Sequence, residues 1–301
     1  MDIIRGVHAS QFPLLLGLVI TLLAGCGGSD DDDDATPDTR PRDAQGCLVV
    51  GSNGTGGVAG RQWFPDPVLH TPEDDVPDYN LLVWGPPGIE DNPEPVPLTV
   101  FVSRTLPDDV TAMMAILEAE LELNQLAVDT GWVVAVAVPG SYEGNLPTAD
   151  DLGLNVGTQQ DDEYFIRSLD RVSEYFNINM ARVHIFGSHG SGGWATYYAH
   201  FWGNRVATTA NQAGFNPFDP WPVTWLRPVP FMAIRDPQDP FFPLAAMEDS
   251  ALMFEDAGAP VERFYDYDGS AGRSPHEWVS AAIFPRLTAF QSRHCLEDEW
   301  L

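Results

Sequence analysis

The stretch Ala181-Arg182-Val183-His184-Ile185-Phe186-Gly187-Ser188-His189-Gly190-Ser191-Gly192-Gly193-Trp194 decides the reading of this chain. Residues 183–186 form a short apolar, β-branched run and predict a strand. Residues 194–202 predict a helix, and the glycine cluster between them predicts a tight connection. The same alternation extends in both directions. Residues 80–84 and 98–102 read as strands joined by a Pro- and Gly-rich turn. Residues 111–128 read as one helix capped by Asp108 or Asp109, and residues 132–138 as a strand apolar on both faces. An amphipathic helix over 161–176 places Phe165, Leu169, Val172 and Phe176 on one side. Further on come strands at 206–210, 229–234 and 261–267 and helices at 244–257 and 277–292. Strands alternating with helices predict an α/β fold, an open, mostly parallel sheet covered by helices on both faces.

Composition narrows the chemistry. The 301 residues are 44 % hydrophobic, enough to bury a sizeable core. Acidic residues number 44 against 15 basic ones, a net charge of −29, which repels phosphate backbones and argues against a nucleic-acid partner. All basic residues are Arg. The absence of Lys removes Schiff-base, P-loop and Ser–Lys chemistry. No His-x-x-x-His or Cys-x-x-Cys spacing points to a metal, and no cofactor is implied.

The first residues carry an address. Arg5 precedes an apolar stretch over 12–24 that ends in Leu23-Ala24-Gly25-Cys26. The stretch suits a secretory leader rather than a membrane span. The small residues before Cys26 resemble the lipobox of bacterial lipoproteins. That resemblance implies a leader over 1–25, lipidation of Cys26 and anchoring at a membrane, periplasmic or cell-surface. An acidic tract rich in Gly, Ser, Pro and Asp follows and reads as a tether over 26–46, leaving a folded domain over 47–301. In an oxidising compartment Cys47 and Cys295 predict one disulfide, worth roughly 4–5 kcal/mol by loop closure; two buried thiols are the alternative.

Three loops at strand ends hold the candidate site, where chemistry sits in such sheets. The first is the 187–193 cluster, a strand-to-helix turn of the kind that presents a nucleophile. The second is Asp236-Pro237-Gln238-Asp239-Pro240-Phe241-Phe242-Pro243, and the third is Arg273-Ser274-Pro275-His276-Glu277-Trp278. A hydroxyl, then an acid, then an imidazole along the chain is the order of an α/β-hydrolase triad. In that role His276 takes the nucleophile's proton, and Asp239 holds its tautomer and stabilises the imidazolium.

Over roughly residues 80–290 the chain resembles the secreted α/β-hydrolases of the polyhydroxybutyrate-depolymerase-like and feruloyl-esterase-like group. The similarity rests on Asp161-Asp162-Glu163-Tyr164-Phe165-Ile166, on 181–187 leading into the glycines, on Asp239-Pro240-Phe241-Phe242-Pro243, on Ala257-Gly258-Ala259-Pro260-Val261-Glu262, and on Pro275-His276-Glu277-Trp278. It implies an α/β-hydrolase fold, a Ser-His-Asp mechanism through an acyl-enzyme, and a small or polymeric ester as substrate. The family's acid falls on Asp239 and its base on His276.

Two departures stand out. The family shows Gly-x-Ser-x-Gly-Gly, whereas counting on from Gly187 puts His189 at the nucleophile position. A serine serves only if the turn shifts. Ser191, flanked by Gly190 and Gly192, fits a turn two residues longer; Ser188 follows bulky Phe186 by two. After the strand at 98–102, the family's His-Gly is replaced by Ser103-Arg104-Thr105, which alters the oxyanion hole. Two readings therefore stand: a membrane-tethered serine ester hydrolase, or a degenerate member of the fold that binds a ligand or partner.

Overall fold

The computed structural model describes residues 39–65, 80–102, 112, 114–138, 159–214, 225–239, 242–266 and 278–301. Among these residues eight strands form one sheet: β1 Gly60–Pro65, β2 Asn80–Gly85, β3 Val96–Val102, β4 Val133–Val138, β5 Ile178–Ser188, β6 Thr208–Gln212, β7 Phe231–Ile234 and β8 Val261–Phe264. Their spatial order is β1-β2-β4-β3-β5-β6-β7-β8. β2 pairs antiparallel with both β1 and β4, and all remaining neighbours are parallel. Among the described residues five α-helices accompany the sheet: α1 Leu123–Thr130, α2 Gln159–Tyr175, α3 Gly190–Phe201, α4 Leu244–Asp256 and α5 Ser280–Ser292. Residues from Arg40 to Leu301 make up one compact unit.

The period-2 pleat explains why the central strands read as unbroken apolar runs. Val133, Ala135, Leu98, Val100, Val183 and Ile185 face one layer, packed against Phe165, Leu169 and Val172 of α2, against Phe176 just beyond it, and against side chains of α3 and α4. Val134, Val136, Phe101 and Phe186 face the other, packed against Leu123 and Leu126 of α1 and against Ile283, Leu287 and Phe290 of α5. The register pairs Gly187 with Asn211 and Ser188 with Gln212, so the carboxyl ends of β5 and β6 lie side by side.

Several local expectations shift. β1 was not anticipated, because Arg61-Gln62-Trp63-Phe64 lacks an apolar run, as suits an edge strand. Residues 111–128 do not form one helix. A wide π-turn over Ala115–Glu120 is followed by Glu122 at φ 52°, after which α1 begins. Leu117 and Leu123 are both fully buried. Six residues apart on a continuous α-helix they would point about 120° apart, so the break lets both reach the sheet. α3 starts at Gly190, four residues before the expected start, drawing the glycine cluster into its first turn.

The amino end of β5 is bound to both ends of the folded unit. Cys47 and Cys295 form the expected disulfide, with Cα atoms 6.0 Å apart. The buried Arg182 donates through Nε to Asp43 Oδ2 at 2.5 Å, through Nη1 to the Ser292 carbonyl at 3.0 Å, and through Nη2 to Gln45 Oε1 at 3.2 Å. Residues 40–46, which composition assigns to the tether, thus take part in the fold. Among the described residues no helix is long and apolar enough to cross a membrane. The leader, Cys26 and the tether up to residue 38 lie outside the described residues.

Candidate active site

β5 ends at Ser188 and α3 begins at Gly190, so the junction is a single residue, His189. Its backbone stands at φ 54°, ψ −130°, which side-chain-bearing residues rarely adopt and which costs about 1–3 kcal/mol. His189 N–H donates to the Gln212 carbonyl at 2.7 Å, and its own carbonyl accepts from Gly192 N–H at 2.9 Å. Both bonds hold the bend against the end of β6.

Small residues are required on both sides. A Cβ on Gly187 would lie 2.2 Å from the Ser191 carbonyl oxygen, and one on Gly192 would lie 2.0 Å from Asn211 Oδ1. Asn211 is itself fixed: its Oδ1 accepts from Gly214 N–H at 2.8 Å, and its Nδ2 donates to Thr196 Oγ1 at 3.3 Å. Thr196 Oγ1 in turn donates to the Gly192 carbonyl at 3.0 Å. The glycines therefore bring strand and helix together too closely for any side chain.

The side chains at the bend form a short chain of hydrogen bonds. Ser188 Oγ donates to Gln212 Oε1 in a very close contact, and it lies 3.2 Å from His189 Nδ1. Ser188 is 8 % exposed, and Ser191, in the first turn of α3, is equally buried. The longer turn that would carry Ser191 to the bend is not formed; the bend position belongs to His189. Gln212 was not singled out from the sequence. The polar pair Asn211-Gln212 closing an otherwise small-residue strand was the available signal.

The acid loop follows β7. Asp239 is buried, its Oδ1 accepts from Phe242 N–H at 3.1 Å, and its carbonyl accepts from Arg235 Nη2 at 2.9 Å. Arg235 Nε also donates to the Phe242 carbonyl at 2.7 Å, so one buried guanidinium folds the loop on itself. The Phe242 ring lies 5.8 Å from the His189 ring, which brings this loop against the bend. His276, Pro240-Phe241, Ser103-Arg104-Thr105 and Trp221 lie outside the described residues. Among the described residues no group of three or more His, Cys, Asp and Glu side chains is arranged to hold a metal.

Two other described histidines, His184 and His200, are packed in the interior. His184 is fully buried, bonds Thr208 Oγ1 at 3.0 Å through Nδ1 and stacks 5.5 Å from Trp132. Burial, with the Arg182 charge nearby, holds its pKa well below the usual imidazole value. His200, packed on Trp225 and Phe201, is pushed down to about 4 by burial.

Strand order, helix placement and the sharp bend after β5 together define the α/β-hydrolase fold, and comparison with solved structures agrees. A thermostable esterase superposes with a TM-score of 0.58 at 15 % identity over 78 % of this chain. This chain spans 63 % of that protein's length. An S-formylglutathione hydrolase from Agrobacterium tumefaciens gives 0.51 at 17 % identity, covering 81 % of this chain and 98 % of its own. An esterase from Thermogutta terrifontis gives 0.52 at 12 % identity, covering 76 % and 90 %. At such identities the likeness is one of fold, and it does not single out the polyhydroxybutyrate-depolymerase-like group. No family model matches the chain, and no curated protein matches it.

Proposed function

We propose that the chain is an exported, membrane-tethered hydrolase of carboxylic esters whose reaction centre is the bend at residues 188–191. The backbone of His189 carries this reading. A strained, non-glycine residue at a strand-to-helix junction needs neighbours that hold it there, and such strain collects at reacting groups. The first turn of α3 lies beside it, and helix N-termini favour a developing oxyanion. The buried Asp239 loop packs against the same point through Phe242. Asp239 serves as the acid that orients His276, and His276 moves protons during acyl transfer. The serine route assigns the attack to Ser188 or Ser191. The esterase relatives in fold add to the ester reading, and Leu23-Ala24-Gly25-Cys26 with the Cys47–Cys295 bridge supports export and tethering.

Purified protein given p-nitrophenyl acetate tests the activity. Turnover is expected, with a loss of roughly 10²-fold or more in Asp239→Asn. In cells, Cys26→Ser should release the protein from the membrane fraction. A second reading draws on His189 standing where the family places serine: the same cleft holds a ligand without turning it over. Failure to hydrolyse aryl or alkyl esters, with a correctly folded protein, favours that reading.

A further inference from the structure

We infer that Arg235 is the positioning residue of the acid loop: its guanidinium, anchored on the sheet, sets where the Asp239 carboxylate stands. The inference rests on the ester-hydrolase reading, in which Asp239 orients His276, and adds the group that holds Asp239 itself.

The loop has few backbone donors of its own. Pro237, Pro240 and Pro243 fall within residues 236–243, and none has an N–H to give. The first half closes on Asp236, whose carbonyl accepts from Asp239 N–H at 3.1 Å and whose Oδ1 accepts from Gln238 N–H at 2.6 Å. The carbonyls of Asp239 and Phe242 take bonds from a side chain instead. Nη2 of Arg235 reaches the first at 2.9 Å, and Nε reaches the second at 2.7 Å.

Arg235 suits this task because its own backbone belongs to the sheet. It follows the last residue of β7, and its N–H donates to the Phe264 carbonyl of β8 at 3.0 Å. Nε and Nη2 lie on one edge of a rigid plane that stays charged, so the two bonds are charge-assisted and their directions are coupled. Asp239 is thereby held twice. Its carbonyl sits on Nη2, and its Oδ1 accepts from Phe242 N–H at 3.1 Å while the Phe242 carbonyl sits on Nε. Phe242 also carries the ring that lies 5.8 Å from the His189 ring. One side chain thus refers both the acid and the aromatic contact with the bend to the end of the sheet. A triad acid works by direction, so a small drift of its carboxylate lowers the rate and leaves substrate affinity alone.

A second buried arginine supplies the control. Arg227 precedes β7 and donates to the carbonyls of Gly203 at 3.0 Å, Val206 at 2.8 Å and Pro228 at 3.0 Å. Those partners lie between α3 and β6 and before β7, away from the acid loop.

The experiment measures p-nitrophenyl acetate kinetics on the full chain in Arg235→Ala, Asp239→Asn and the double variant, with Arg235→Lys and Arg227→Ala beside them. Arg235→Ala should lower kcat by roughly 10–50-fold with KM changed by no more than about twofold. In the Asp239→Asn background the same substitution should lower kcat by no more than about twofold, because a residue that acts through the acid has nothing left to orient. Millimolar guanidinium should restore part of kcat to Arg235→Ala and none to the double variant. Arg235→Lys keeps the charge but not the fork and should remain at least about fivefold slower than the parent. Measured in both backgrounds, it carries the same test where the alanine variant fails to fold. Arg227→Ala should lower Tm and keep kcat. Equal losses from the Arg235 substitution in the two backgrounds, or parental kcat in Arg235→Lys, overturn the assignment and leave the ester-hydrolase reading intact. Absence of turnover in the wild type overturns both.

Discussion

The two ends of β5 are built on opposite principles. At its amino end interactions accumulate: Ser52 N–H to the Ile178 carbonyl at 2.8 Å, Met180 N–H to the Val50 carbonyl at 2.8 Å, Leu296 N–H to the Ala181 carbonyl at 2.9 Å, the buried Arg182 and the disulfide. At its carboxyl end the backbone is forced into an unfavourable bend, with no room for a Cβ at Gly187 or Gly192. One end ties the first and last parts of the fold to the central strand, while the other holds a single side chain at a point of strain. Locks at one end allow strain at the other, so altering the locked end should cost stability but not turnover, whereas altering the strained end should cost turnover.

The largest expected effect is at the strained end. Gly187→Ala should abolish ester turnover and destabilise the protein by about 3 kcal/mol, because a Cβ would meet the Ser191 carbonyl and the bend must open. Chemical denaturation and a p-nitrophenyl acetate assay read the two consequences separately. At the locked end, Cys47→Ser with Cys295→Ser should remove about 2–5 kcal/mol and lower Tm by on the order of 10 °C, with kcat unchanged. A fall in kcat of the same size as at the bend would erase the contrast. Asp43→Ala leaves the Arg182 guanidinium without its carboxylate and should cost about 2–3 kcal/mol, again without loss of turnover. The smallest effect is a dependence on acid. His200 is neutral in the fold down to about pH 4, whereas in the unfolded chain it takes up a proton near 6.5. Its contribution is complete above pH 6.5 and is lost as pH falls from there towards 4; His184, also held neutral by burial, acts in the same direction. His200→Phe should flatten part of that slope in a pH series of urea midpoints.

The contrast also explains what could be read from the sequence. The sheet was legible because β3, β4 and β5 are buried on both faces and leave unbroken apolar runs such as Val133–Val138. The glycine cluster was legible as a strand-to-helix turn because close packing needs residues without side chains. β1 was not, since an edge strand mixes Arg61 and Gln62 with Trp63 and Phe64. The π-turn before α1 was not, because it answers to where Leu117 and Leu123 must point rather than to local propensity. At the site, counting from Gly187 reached His189, but the choice between a shifted serine and the histidine turned on the length of the bend. That length is set by two backbone bonds, from His189 to the Gln212 carbonyl and from Gly192 to the His189 carbonyl. Neither leaves a trace in residue type, and nor does the Ser188–Gln212 bond, which depends on strand register.

The most direct test replaces His189 with glycine and follows stability and p-nitrophenyl acetate hydrolysis in the same preparations. Glycine adopts φ 54°, ψ −130° without strain, so the account predicts a protein more stable by about 1 kcal/mol or more that hydrolyses the ester markedly more slowly, because the bend is no longer held in one conformation. A variant that hydrolyses the ester as fast as the parent would contradict it.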